Sequence, residues 1–201
     1  MSTFAVPQSR PVVLADVLPG ARVRDAALIC LGALLTVIGA QIAIPVPPSP
    51  VPVTGQTLAV VIAGSALGAR RGAASQALYL VLGLLLPVYA DGGQGLDVVW
   101  GASGGYLVGF ILAAGLIGWL AEHGADRRPA LAFLAFCGGQ LAVFGIGVPW
   151  LKVSTGMSWG DAIHDGFAIF IVGGLIKAVI GAGVIPAAWR AVRRWERPPG
   201  S

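Results

Sequence analysis

The chain has 201 residues, of which 56% are hydrophobic and 11% charged, with a mean hydropathy of +0.83; a water-soluble domain carries about 25% charged residues. So little polar material cannot coat a surface in water, and the composition excludes a soluble fold. The net charge of +4 does not indicate nucleic acid either, because the arginines fall in short clusters between apolar runs instead of forming a continuous basic face. Cys30 and Cys137 are the only cysteines and both lie inside apolar runs, so neither a disulfide framework nor a metal site is expected. The fold class that remains is an all-α integral membrane protein.

From the amino terminus, Pro7, Pro11 and Pro19 interrupt the first twenty residues, which argues against a cleavable signal peptide. Residues 1–25 are expected to form a cytoplasmic tail with a short amphipathic stretch, 26–189 a membrane domain, and 190–201 a basic cytoplasmic tail. A crossing helix needs about 20 mainly apolar residues. Six candidates follow in order: Ala26 to Ile44, Thr54 to Ala69, Gly72 to Tyr89, Gly104 to Ala121, Ala130 to Val148, and Gly166 to Trp189. The break between the second and third rests on Gly68 to Gly72, since Arg70 and Arg71 would be costly at the bilayer centre.

Arg10, Arg22 and Arg24 precede the first span, Arg70 and Arg71 follow the second, Arg127 and Arg128 the fourth, and Arg190, Arg193, Arg194 and Arg197 the sixth. All share one side. The opposite loops hold Lys152 with Asp91, Asp97, Asp161 and Asp165, so the positive-inside rule places both termini in the cytoplasm. The three outer connections are Pro45 to Val53, Ala90 to Ser103 and Pro149 to Asp165, and their length marks that face for a binding site or lid.

Lys177 is the strongest single signal, because an ionisable residue within a span is expensive and faces a bundle interior or cavity. Gly173 and Gly181 flank it at spacing four, and the tilt of helical side chains toward the amino-terminal end directs its ammonium outward. An anion arriving from outside is the natural partner. In the first span, Gly32, Ala33, Thr36 and Ala40 form a small-residue stripe suited to close helix contact, within the chain or with another subunit. An enzyme reading rests on Gly101-Ala102-Ser103-Gly104, which matches the Gly-x-Ser-Gly nucleophile motif of rhomboid intramembrane proteases. It lacks a histidine base within a later span, leaving only a Ser103 to Lys177 dyad. No phosphate-binding glycine loop is present, so energy from ATP has to come from a partner.

Several blocks together resemble the BioY family, the biotin-specific substrate-binding (S) components of energy-coupling-factor (ECF) transporters. They are Gly39 to Pro45, Pro50-Val51-Pro52-Val53-Thr54-Gly55-Gln56-Thr57-Leu58, Gly68 to Ala73, Leu78-Tyr79-Leu80, Gly101 to Phe110, and Ile176-Lys177-Ala178. The family pattern has an acidic residue three positions before the lysine, where this chain has Gly174, and commonly a proline where it has Ala102. Asp161 or Asp165 is a possible substitute for that acid.

The resemblance implies a six-helix protein of a prokaryotic cytoplasmic membrane that binds biotin from outside without changing it and needs no cofactor. Its partners would be a transmembrane coupling subunit and two ATPases, or it would act alone or as an oligomer. The stripe Gly32, Ala33, Thr36 and Ala40 becomes the expected docking face for the coupling subunit. Lys177 is expected to hold the ligand carboxylate, with Thr54, Gln56 and Gln94 for the ureido group and Tyr79, Trp100, Tyr106 and Gly105 around the rings and chain. A different small vitamin is the alternative ligand.

Overall fold

The computed structural model describes residues 13–18 and 22–195. Arg10, Arg197 and most of the expected tails lie outside the described residues. In chain order the helices are α1 (Arg22–Ala40), α2 (Gln56–Leu67), α3 (Ala69–Leu85), α4 (Leu96–Trp100), α5 (Gly104–Glu122), α6 (Pro129–Thr155), α7 (Trp159–Gly166) and α8 (Ile171–Trp195). Helices α4 and α7 are short and lie in connections; the other six build the bundle. Five of these are long and apolar enough to cross a membrane. The sixth, α2, has 12 residues, so at about 1.5 Å per residue it rises only ~18 Å, short of the ~30 Å hydrocarbon core.

The shortness of α2 has a local cause. Pro45, Pro47, Pro48, Pro50 and Pro52 lack the N–H a helix needs, so the chain ahead of α2 is extended. There β1 (Ala43–Ile44) pairs antiparallel with β2 (Val53–Thr54), Ala43 opposite Thr54 and Ile44 opposite Val53, a departure from the all-helical expectation. At the other end of α2, the expected break is a one-residue turn. Gly68 has φ +84°, a conformation that favours glycine, and a Cβ there would meet Glu122 Oε1 at 2.7 Å. That same oxygen accepts the Ala69 N–H at 2.9 Å and so satisfies one of the unpaired donors that open α3.

Two spans run further than the apolar windows suggest. Helix α6 continues through Pro149 to Thr155, because Trp150 and the fully buried Leu151 extend its apolar face beyond the expected end at Val148. Helix α8 begins at Ile171 rather than Gly166, since Phe167 has non-helical angles and a 3-10 turn over Ala168–Phe170 intervenes.

Helix α5 occupies the centre and packs against α2, α3 and α6. Small residues allow the approach: a Cβ on Gly64 would lie 2.8 Å from Ala114 O, and one on Gly72 2.9 Å from Gly64 Cα, so α2, α3 and α5 meet almost backbone to backbone. The stripe on α1 serves the same purpose. Gly32, Ala33, Thr36 and Ala40 are all buried, a Cβ on Gly32 would meet Ser75 Cβ at 2.8 Å, and the Thr36 hydroxyl donates to Gln76 Oε1 at 3.1 Å. Within the chain these residues form the seam of α1 with α2 and α3, where their small side chains allow close packing. The outward face of α1 is instead Leu31, Leu34 and Ile38, and that of α8 includes Val172, Val179 and Val184, apolar surface that suits lipid.

The two ends of the bundle differ in chemistry. At one end Arg71 pairs with Asp16 at 2.7 Å and Asp25 at 3.2 Å, and the Arg127 guanidinium lies 4.9 Å from the Trp189 ring centroid. The hairpin, α4 and α7 occupy the other. The start of α1 and the end of α8 both lie at the arginine end, as an even number of crossings requires.

Candidate functional site

A cavity of about 310 Å³ opens at the hairpin end, within the size range of small-molecule sites. The hairpin and the start of α2 contribute Pro50, Val51, Pro52, Thr54, Gln56 and Thr57. The α3–α5 connection adds Tyr89, Asp91, Asp97 and Ser103, and the bundle adds Tyr106, Phe110, Gln140, Val143, Phe144, Phe170, Gly174 and Lys177. The lining is thus largely apolar and aromatic, with few polar groups to orient a ligand.

Lys177 joins the two halves of this site. Its ammonium donates to Thr54 O at 2.6 Å and to Thr57 Oγ1 at 2.9 Å. Thr54 lies in β2, and β1 and β2 form a two-stranded sheet, so this half-buried carbonyl takes its donor from a side chain. No carboxylate pairs with Lys177 among the described residues. An ammonium has three N–H donors, so one is left for a ligand.

Thr54 and Gln56 line the cavity, and their side chains are held by each other and by the core. The Thr54 hydroxyl donates to Gln56 Oε1 at 2.7 Å, and Gln56 Nε2 donates to the Tyr79 hydroxyl at 2.6 Å. Tyr79 lies behind them in the core, its ring edge-on to Tyr89. Tyr106 does reach the cavity and is fixed by donating to Gly166 O at 2.9 Å.

Three other expected ligand residues do something else. Gln94 is exposed and away from the cavity. Trp100 is exposed and stacks on Trp150 at 5.5 Å between centroids. A Cβ on Gly105 would come within 2.2 Å of Trp150 Cβ, so this glycine makes room for the tryptophan whose Nε1 donates to Gly101 O at 3.0 Å. Trp100, Gly105 and Trp150 together pack at the loop that carries Ser103. The acids considered as substitutes are likewise occupied: Asp161 caps α7 with Ser158, and Asp165 pairs with His164 at 2.7 Å.

Sequence reasoning missed Gln140, a polar residue inside an apolar run on α6, although that position was its signal. Gln140 Nε2 donates to Gly174 O at 2.8 Å. Thr57, Tyr89, Phe144 and Phe170 were missed too, because aromatic and hydroxyl residues at span ends look like ordinary packing. Ser103 reaches the cavity, yet Lys177 is engaged by Thr54 and Thr57 and His164 by Asp165, so no base is hydrogen-bonded to it among the described residues. No group of three or more metal-ligating side chains occurs among those residues.

Six bundle helices with a cavity at one end define a multi-pass membrane protein. Residues 10–194 match the model of the BioY family, and the chain belongs to that family. It is 37% identical over 154 residues to a biotin transporter, BioY2, of Lactococcus lactis subsp. cremoris, covering 76% of this chain and 83% of that one. Against the biotin transporter BioY of Thermotoga maritima the identity is 38% over 151 residues, covering 74% and 85%. The fold is that of a crystallised S-component for biotin from an ECF-type ABC transporter, with a TM-score of 0.76 over 84% of this chain and 92% of that one, at 24% identity.

Proposed function

We propose that this protein binds biotin in the cavity and carries it inward across a prokaryotic cytoplasmic membrane as the S component of an ECF-type transporter. The observation that carries the reading is an apolar, aromatic cavity of about 310 Å³ with a single lysine on its wall, in a chain whose relatives are biotin transporters. The chain is a carrier and not a hydrolase; biotin is cargo, and no cofactor is required. A transmembrane coupling subunit and two ATPases supply the energy, since the sequence has no nucleotide-binding loop of its own. The arginine end faces the cytoplasm and the cavity faces outward.

The polar inventory revises how the ligand lies. With Thr54 and Gln56 bonded to each other and Gln94 outside the lining, Lys177 is the charged donor on the cavity wall, and its other two partners are neutral oxygens. Its remaining N–H suits the ureido oxygen. The carboxylate then stays at the open mouth, where it keeps its hydration and avoids the cost of burying a second charge. Calorimetry on the purified protein tests the reading: saturable biotin binding is expected, and absence of it with saturable binding of another vitamin would overturn it. Uptake of labelled biotin by cells expressing the chain with a coupling subunit and ATPases, but not by cells lacking the chain, tests the carrier role.

A further inference from the structure

The contact between Gln140 on α6 and Gly174 on α8 has the geometry of a built recognition element. Gln140 is 8% exposed and lies in the middle of a long apolar helix, where an amide is retained only with partners. One partner is present: Nε2 donates to Gly174 O at 2.8 Å, which fixes the plane of the amide. The other end of the amide, Oε1, accepts no hydrogen bond from any described residue.

Gly174 explains how the amide reaches its place. A Cβ on Gly174 would lie 2.2 Å from Gln140 Oε1 and 3.3 Å from its Cδ, so the amide fills the volume that a side chain at 174 would take. Gly174 and Lys177 are three residues apart on one helix face, and both line the cavity with Gln140. The amide held by Gly174 and the lysine, with one N–H left over, therefore face the same cavity.

We infer that Gln140 is a specificity-determining residue, accepting an N–H of the ligand through Oε1 while Lys177 donates to the adjacent oxygen, and that Gly174 is the vacancy that admits it. The chemical class selected is a carbonyl flanked by N–H, as in a cyclic urea, lactam or carbamate. This rests on the biotin reading and deepens it.

The test measures dissociation constants by calorimetry for biotin and for a biotin derivative methylated on the ureido nitrogens, in the wild type, Gln140→Leu, Gly174→Ala and the double variant, with thermal unfolding as a check on folding. Losing one buried acceptor opposite a ligand N–H should weaken biotin by about 5- to 150-fold in Gln140→Leu. Gly174→Ala displaces the amide and should weaken biotin to a similar extent, and the double variant should be no worse than either single one, since both changes remove the same contact. The methylated ligand should bind the wild type weakly and gain nothing further from loss of Gln140. Wild-type biotin affinity in a folded Gln140→Leu, or wild-type tolerance of the methylated ligand, overturns the inference while leaving the biotin reading intact. A wild type that binds no biotin refutes both.

Discussion

Replacing Lys177 with methionine keeps the length and apolar stem of the side chain but removes three N–H donors. Two of those hold Thr54 O and Thr57 Oγ1, at 2.6 and 2.9 Å. Leaving a buried carbonyl unpaired costs about 1 to 3 kcal/mol. In the opposite sense, an uncharged helix inserts more readily, by about 2.5 to 3.5 kcal/mol on insertion scales for a lysine at the centre of a span. The two effects are similar in size and oppose each other, so the variant should fold with a melting temperature close to that of the wild type. Ligand binding has no such compensation. The third N–H is a charge-assisted donor, and its loss should cost about 1.5 to 3 kcal/mol, equivalent to a roughly 10- to 150-fold rise in the dissociation constant. Calorimetry with biotin and with biotin amide reads both the size of the effect and its origin. Because the lysine meets the headgroup, both ligands should weaken equally. Arginine should not rescue, since its planar fork does not fit a space shaped for a compact ammonium. Unchanged affinity in Lys177→Met would refute the contact, and a loss confined to biotin would place the carboxylate at the lysine and refute the orientation.

Ser103→Ala should leave biotin affinity and uptake within about 2-fold, because no base is hydrogen-bonded to that hydroxyl and a neutral surface contact is worth little; labelling of Ser103 by an activity-based serine probe would contradict this. Gly32→Val should destabilise the isolated protein in detergent by about 1 to 3 kcal/mol through overpacking against Ser75, read as a lower melting temperature with no coupling subunit present. If the variant melted normally and lost only its association with a coupling subunit, α1's stripe would be a docking face after all. Asp126 lies between α5 and α6, buried, with Oδ1 unpartnered and Oδ2 accepting from Trp189 Nε1; burial raises its carboxyl above the usual carboxylate range. Its contribution to stability is therefore complete below the ordinary carboxyl pKa and is lost as pH rises through the raised value. Asp126→Asn keeps an acceptor for Trp189 and should flatten the pH dependence of the melting temperature, which a thermal-shift series from about pH 4 to 8 would detect.

Hydropathy and charge were enough to read the membrane class, the six helices and the arginine-marked face, because each depends on the solvent preference of whole segments. The ligand site was legible only where a residue violates that preference, as Lys177 does inside α8. Gln140 violates it too, but a lone amide in an apolar run is equally a packing residue, and only its proximity to Gly174 separates the two readings. Trp100, as an aromatic side chain, and Gly105, as part of the block with Tyr106, are natural candidates for ligand contact, but both pack on Trp150, 45 residues downstream of Gly105, and no local pattern carries that distance. The stripe on α1 is ambiguous for a related reason. Spacing four reports that a helix face is small, not which neighbour uses it, and the intrachain neighbours α2 and α3 are already at hand.

The shortness of α2 connects the fold to the site. A helix of 12 residues leaves the preceding chain extended beside the cavity, and backbone that is buried in protein there finds its donors and acceptors within the protein. The β1–β2 pairing satisfies part of that need, and Gly55 N–H donating to Ile42 O at 3.0 Å extends it. Thr54 O is satisfied by Lys177. The lysine is thus required by the architecture before any ligand arrives, and its position on the cavity wall follows from the same hairpin that bounds the cavity. A full-length α2 would remove both the space and the reason for the charge. The binding site is consequently inseparable from the helix break: substitutions that extend α2 toward the hairpin should abolish ligand binding even if they leave Lys177 and Gln140 untouched.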